Sequence, residues 1–172
     1  MNKAHEEQFR GWVQSQRAGL RRTAFLLSGD WYLADDLVQD ALVRILDAWP
    51  RLSGAPDLTR YSRRVLVNLY LDHRRRPSRR EQPTDTVPEG ELSDTDPTTR
   101  QLLREALQEV PSGQRAVLVL RYFEDFSVEQ TAESLRTTPG NVKSQSSRGL
   151  AALRRALEDR GISDAYNLLE QQ

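Results

Sequence analysis

Between Phe126 and Arg155 the chain reads FSVEQTAESLRTTPGNVKSQSSRGLAALRR, and side chains suited to recognition chemistry crowd into its second half. Thr138, Asn141, Lys143, Ser144, Gln145, Ser147 and Arg148 supply hydroxyls, amides and cations, and no acidic side chain stands between Pro139 and Leu157. Arg, Lys, Asn and Gln can bond base edges in a major groove, and Ser or Thr can bond phosphate or base. The missing acids remove the main repulsion against a phosphate backbone. Polarity alone would equally fit an ordinary amphipathic helix with a solvated face, so the surrounding elements must decide.

Those elements are well marked. Ser127 has the position of an N-cap, and Gln130 gives it the capping-box spacing. A helix then runs to about Leu135, with Val128, Thr131, Ala132 and Leu135 at i, i+3, i+4, i+7. Arg136 to Thr138 form a turn. Thr138 caps the next helix and Pro139 takes its first position, where a missing N–H costs nothing. Val142, Leu150 and Leu153 can pack inward. A capped helix, a short turn and a second capped helix make a helix-turn-helix, which tips the reading towards DNA. Such turns often contain Gly, and Arg136 stands here instead, so a positive φ at this position would carry strain.

A second cationic block lies upstream. From Arg51 to Arg80 there are nine Arg against Asp57 and Asp72. A helix expected from about Leu58 to Arg75 carries Arg60, Tyr61, Arg63, Arg64, Asn68, Tyr70 and Arg74, with Val65, Leu66 and Leu69 inside. Bases stack on rings while Arg neutralises phosphate, so interleaved rings and cations suit single-stranded nucleic acid. A tyrosine at helical spacing is more often core than stacking platform, so the spacing alone leaves both roles open for Tyr61 and Tyr70. LSGAPDLT, from Leu52 to Thr59, reads as the preceding loop.

Composition bounds the rest. The net charge of zero hides segregation: five Asp against Arg44 alone from Leu26 to Pro50, and six acidic residues with no basic one from Glu81 to Thr99. Blocks of opposite sign point to several partners. There is no cysteine, and His5 and His73 stand far apart, so disulfides, Cys-held zinc and a histidine metal site are not expected. No apolar run approaches a membrane span, and MNKAHEEQFRGW lacks a signal-peptide core, so a cytoplasmic protein with no membrane partner is expected. No nucleophile–base pair or phosphate-cradling loop points to an enzyme.

In order, Phe9 to Leu27 reads as a helix stopped at Ser28-Gly29-Asp30. The next has Ala34, Leu37, Val38, Ala41, Leu42, Ile45 and Leu46 on one face, Asp35, Asp36, Gln39, Asp40, Arg44 and Asp47 on the other, and Pro50 as its end. Pro77 to Thr99 has four prolines and little apolar beyond Val87 and Leu92, which predicts a flexible acidic linker. Such a segment spans about 75 Å extended and averages about 26 Å as a coil. Arg100 to Val110 opens a second body as a helix, Pro111-Ser112 start another, and Val117, Leu118, Leu120, Tyr122 and Phe123 feed its core. After Glu158 the helix should end near Gly161, leaving a tail in which Ile162, Ala165, Tyr166 and Leu169 could make a short amphipathic turn. The fold class is all-α: a helical domain over 1–76, a linker over 77–99, a helix-turn-helix domain over 100–160 and a tail over 161–172.

With both halves read, the chain resembles a bacterial RNA polymerase sigma factor of the extracytoplasmic-function group of the sigma-70 family. RTAFLLSGDWYLADDLVQDALVRILDAWPRL (Arg22 to Leu52) resembles the region 2 core that binds the polymerase clamp. RYSRRVLVNLYLDHRRR (Arg60 to Arg76) resembles the part that melts and reads the −10 element. VPSGQRAVLVLRYFEDFSVEQTAESLRTTPGNVKSQSSRGLAALR (Val110 to Arg154) resembles region 4, which reads the −35 element. The resemblance implies that Asp35, Asp36, Leu37, Gln39, Asp40 and Arg44 face polymerase, and that the loop from Ser53 through Gly54 to Asp57 pockets a flipped promoter base. It sets Tyr61, Arg64 and Asn68, with Arg60, Arg63 and Arg74 around them, beside single-stranded −10 DNA. It brings Thr138, Asn141, Lys143, Ser144, Gln145, Ser147 and Arg148 to the −35 duplex. It implies core RNA polymerase as partner through clamp and flap, passage of the acidic linker along the RNA exit path, and no zinc or nucleotide cofactor. Many relatives are held inactive by an anti-sigma factor, and such a partner is possible here. Arg136 and the small Ser147 depart from the family pattern, which would shift or weaken −35 contacts. A free-standing helix-turn-helix regulator on a palindromic site is the main alternative; it leaves the Arg-rich helix without a purpose. A purely protein-binding helical adaptor leaves the recognition helix unused as well.

Overall fold

The computed structural model describes residues 2–76 and 96–162, which fall into two compact all-helical units. The first holds α1 (Lys3–Ser28), α2 (Trp31–Leu52) and α3 (Leu58–Arg75), each packed on the other two. The second holds α4 (Pro97–Glu109), α5 (Ser112–Leu118), α6 (Val128–Leu135) and α7 (Pro139–Glu158). A π-helical turn over Val119–Phe123 prolongs α5, and α7 packs against α4, α5 and α6.

Capping sets the element ends. Asn2 accepts from the His5 N–H and starts α1 six residues before Phe9, where the apolar stripe that marks this helix begins. Polar residues at helical spacing, such as the Glu6–Arg10 pair, carry no apolar signal and hid that turn in the sequence. Gly29 ends α1 in the left-handed region (φ 70°) with its N–H on the Phe25 carbonyl, and Asp30 caps α2 through the Tyr32 N–H. Pro50 does not end α2. It sits exposed in the last turn, the helix runs on to Leu52, and the Ser53 N–H reaches the Trp49 carbonyl at 2.8 Å. One absent N–H at the rim of a helix is a smaller loss than in its interior.

The core of the first unit draws on all three helices. Leu20, Ala24 and Leu27 of α1, Ala41 and Ile45 of α2, and Leu66 and Val67 of α3 are fully buried. Phe25 stacks on Trp31 at 4.0 Å between ring centroids, and the Arg21 guanidinium lies 4.2 Å over the same indole while it pairs with Asp35 at 2.6 Å.

The second unit opens at Asp96, which accepts from the Thr99 N–H, with Pro97 at the first helical position. Residues 97–99 therefore belong to α4 and not to the expected linker; 77–95, and the tail beyond Ile162, lie outside the described residues. The buried Arg115 closes the end of α4 by donating to the Gln108 side-chain and backbone oxygens and the Val110 carbonyl. Gly149 of α7 lets α5 come close: a Cβ there would lie 3.1 Å from Leu118 Cγ. Val117, Ala132 and Val142 form the apolar centre under the helix-turn-helix, with Val128 and Leu135 packed on it.

Candidate nucleic-acid interface

The helix-turn-helix forms as its caps dictate. Ser127 and Gln130 make both bonds of the capping box, at 3.0 and 2.9 Å. Arg136 ends α6 in the left-handed region (φ 53°, ψ 47°), so the strain expected of a non-glycine turn is present. Thr138 caps α7 through the Asn141 N–H, and the Asn141 amide donates to Thr137 Oγ1 at 2.8 Å, which fixes the first turn. Val142 and Leu153 turn inward as expected, and Leu150 is half-buried. Thr138, Asn141, Lys143, Ser144, Ser147 and Arg148 are all exposed and lie along one side of this capped segment; Gln145 is half-buried at its edge. These small polar groups and cations on a rigid helix can reach into a duplex groove without an acid among them.

The upstream block divides. Tyr61, Arg64 and Asn68 recur at i, i+3, i+7 as one half-exposed stripe of α3, with the Asn68 amide on the Arg64 carbonyl at 2.8 Å. Arg60 pairs with Asp57 at 3.2 Å, Arg74 is exposed on the last turn, Ser53 is half-buried and Gly54 is exposed with φ 85°. Arg63 does not join them. It is 7% exposed and packs across Gly19 of α1, where a Cβ would lie 2.7 Å from its Nη2. Its spacing to Leu66, Val67 and Tyr70 put it on the inner face, and Tyr70 is fully buried too. Tyr61 therefore remains as the ring on the cationic face.

On α2, Asp36, Gln39, Asp40 and Arg44 are exposed, while Asp35 is half-exposed and tied to Arg21. Leu37, expected to face a partner, is 4% exposed and belongs to the core with Ala34, Val38 and Ala41. Two side chains that the sequence reading did not single out share the outward stripe: Tyr32, 68% exposed, and Val43, 59% exposed. Tyr32, Asp36, Gln39, Val43 and Asp47 repeat at helical spacing, and apolar groups interrupting a charged face were the signal for them.

A groove of about 440 Å³ opens in the first unit where α1, the end of α2 and the Ser53–Asp57 loop meet. Trp12 and Trp49 line it beside Ser53 and Gly54 of the loop and Thr59 at the start of α3. The two indoles belong to a ring cluster with Phe9, at 5.7 Å between Trp12 and Trp49 and 5.1 Å between Phe9 and Trp49. Among the described residues no three His, Cys, Asp or Glu side chains are grouped to hold a metal, and no helix is long and apolar enough to cross a membrane.

Comparison with known proteins gives a match for each of the two units. Residues 12–80 match the family described as Sigma-70 region 2, and residues 100–153 match Sigma-70, region 4. The chain is 36% identical over 163 residues to an RNA polymerase sigma-E factor of Streptomyces avermitilis, covering 92% of this chain and 91% of that one. It is 30% identical over 164 residues to the ECF RNA polymerase sigma factor SigL of Mycobacterium tuberculosis, covering 90% and 91%. In fold it is similar to the sigma factor RpoE from Bartonella quintana, solved with the anti-sigma factor NepR. That match has a TM-score of 0.72 at 23% identity over 87% of this chain and 96% of that one.

Proposed function

We propose a promoter-reading mechanism for this chain, which belongs to the sigma-70 family of RNA polymerase sigma factors, in the extracytoplasmic-function group. Members of that family associate with core RNA polymerase and set where transcription begins; they are initiation factors and not catalysts. The division of labour within this chain is our reading. Helix α7 lies in the major groove of the −35 duplex, with Asn141, Ser144 and Arg148 towards the bases and Lys143 and Ser147 towards phosphate. The α3 stripe of Tyr61, Arg64 and Asn68 receives the −10 strand once it is unpaired, helped by Arg60 and Arg74. The Ser53–Asp57 loop holds an extruded base, and α2 presents Asp36, Gln39, Asp40 and Arg44 to the polymerase clamp, with Tyr32 and Val43 as apolar anchors.

The physical logic is differential binding. Unpairing a base costs a few kcal/mol, and contacts made only to the extruded base and the freed strand must offset that. Cations steer either form of DNA, but a ring that stacks on a base favours the open one. Holding α7 on the duplex fixes the register, so the α3 face meets the −10 sequence and not a random stretch.

One observation carries this reading: a helix-turn-helix whose second helix shows no acid from Pro139 to Leu157 and, in a separate unit, a cationic helix that keeps Tyr61 at its surface. A duplex-binding regulator requires only the first. The proposal includes a protein inhibitor of the anti-sigma kind as a further partner, supported by the Bartonella quintana complex. In vitro transcription with purified core polymerase on a pool of promoter templates tests the reading. Initiation from a defined set of start sites only when the chain is added is expected; no change in the start sites used would refute it.

A further inference from the structure

Gly149 stands near the middle of α7, where alanine would make the stronger helix. It is buried, and a Cβ built on it would lie 3.1 Å from Leu118 Cγ, 3.2 Å from Leu118 Cδ1 and 3.4 Å from Gln114 Cβ. Gly113 of α5 and Gly140 of α7 have nothing within 4 Å of the same point, so the close approach is particular to Gly149 among the glycines of these two helices. We infer that Gly149 is a positioning residue: it lets α7 settle onto Leu118 and Gln114, and that depth of seating sets which bases Asn141 and Ser144 can read. The inference rests on the proposal that α7 reads the −35 duplex and adds what fixes the height of its outer face.

The neighbours cannot step aside. Leu118 is 1% exposed between the buried Val117 and Val119, and a Cβ atom such as that of Gln114 moves only with its backbone. Carbon atoms in contact stand about 3.5 to 4.0 Å apart, so a methyl at position 149 must back away by roughly 0.4 Å or more. Helix α7 has to supply that shift. Its two ends are held elsewhere: Thr138 caps the first turn, Val142 packs with Val117 and Ala132, and Leu153 and Leu157 are buried further along. A push at the middle is therefore taken up as a tilt or bow of the helix.

Such a shift is large on the scale of recognition. At about 3.6 residues per turn, Ser147 and Ser144 stand about 200° and 140° round α7 from Gly149, so a push at the seam moves them outward. Groups that bond a ligand must be held to about 0.5 Å. Asn141 is tied to Thr137 and Ser144 is short, so neither can follow a base edge that the backbone has left. Lys143 has a long flexible stem and keeps its phosphate within reach. Discrimination should therefore fall further than affinity. Ser146 adds a second mark: three residues before Gly149 on the same side, its Oγ is buried and bonds to nothing among the described residues. A buried hydroxyl without a partner costs stability, so α7 gives up stability at two adjacent inner positions where small size keeps the seam narrow.

The test uses reconstituted holoenzyme and a promoter library randomised across the −35 element, with transcripts read by sequencing. In the Gly149→Ala variant, preference at the −35 base pairs that α7 reads should flatten by about fivefold or more, while −10 preference and affinity for core polymerase do not change. Adding Leu118→Ala removes the atoms that the methyl meets and should restore the wild-type profile, although the double variant has the lower Tm. Gly113→Ala, a methyl set into open space, should leave the profile as it is. A flattened profile that follows Tm and is not restored by Leu118→Ala would make Gly149 a packing residue only and overturn the inference. So would an equal change in Gly113→Ala, an unchanged profile in Gly149→Ala, or a Gly149→Ala chain that fails to fold, since α7 must absorb the methyl by moving. Each of these leaves the wider function standing. A wild-type holoenzyme indifferent to −35 sequence would remove the underlying reading of α7 as well.

Discussion

Helices α3 and α7 both turn a polar, cation-bearing stripe outward, and they build it from different materials. On α7 the stripe is short side chains and amides with Lys143 and Arg148 among them, no ring and no acid. On α3 the cations are long, a tyrosine sits between them, and a share of the positive charge is spent at home. Arg63 is buried against Gly19, Arg60 pairs with Asp57 at 3.2 Å and Arg75 with Asp72 at 3.5 Å. The contrast fits what each surface would meet. A duplex groove admits a rigid helix with small donors and acceptors, whereas a flexible single strand requires a surface for its exposed base faces.

The largest expected effect separates the neighbouring arginines of α3. Arg63→Ala should destabilise the first unit by about 2 to 3 kcal/mol, because it removes a buried side chain at the crossing of α1 and α3. Arg64→Ala should leave the urea midpoint nearly unchanged and slow promoter opening instead. Equal midpoints for the two variants would contradict the division of that helix. Next comes the duplex side: Arg148→Ala should weaken −35 binding by holoenzyme about tenfold, and a mobility-shift assay on −35 fragments that showed no loss would detach α7 from that role.

Tyr61→Leu should cost about 1 to 2 kcal/mol in open-complex stability, read by permanganate reactivity of unpaired thymines, and leave −35 binding intact. If closed and open complexes weakened alike, Tyr61 would be a general contact and not a stacking one. The smallest effect concerns the turn. Glycine accepts φ 53° freely, so Arg136→Gly should raise stability by about 0.5 to 1 kcal/mol, visible as a few degrees in the Tm of the second unit. A lower Tm would show that the arginine side chain contributes more to the fold than its backbone strain costs.

Local chemistry was the part that the sequence made legible. Ser127 with Gln130, Thr138 with Pro139, and Gly29 each declare an element end within a few residues, and all form as read. The inner and outer faces of α2 and α3 were legible too, had spacing been preferred over residue type for Arg63 and over the family resemblance for Leu37: Arg63 follows the period of Leu66 and Tyr70, and Leu37 that of Ala34 and Ala41. What could not be read there depends on the meeting of distant segments. The groove requires α1, the end of α2 and a loop some forty residues further along than α1. The π-helical turn at Val119–Phe123 and the buried Arg115 under α4 arise from packing and leave no local mark.

The account depends on one chain carrying a duplex reader and a strand reader that act together on polymerase. Footprinting of a single promoter with holoenzyme, with core polymerase alone and with the chain alone measures that directly. Protection at −35 together with permanganate-reactive thymines at −10, seen only with holoenzyme, is the predicted result. Tight, symmetric protection by the chain alone, with no strand opening when polymerase is added, would contradict it.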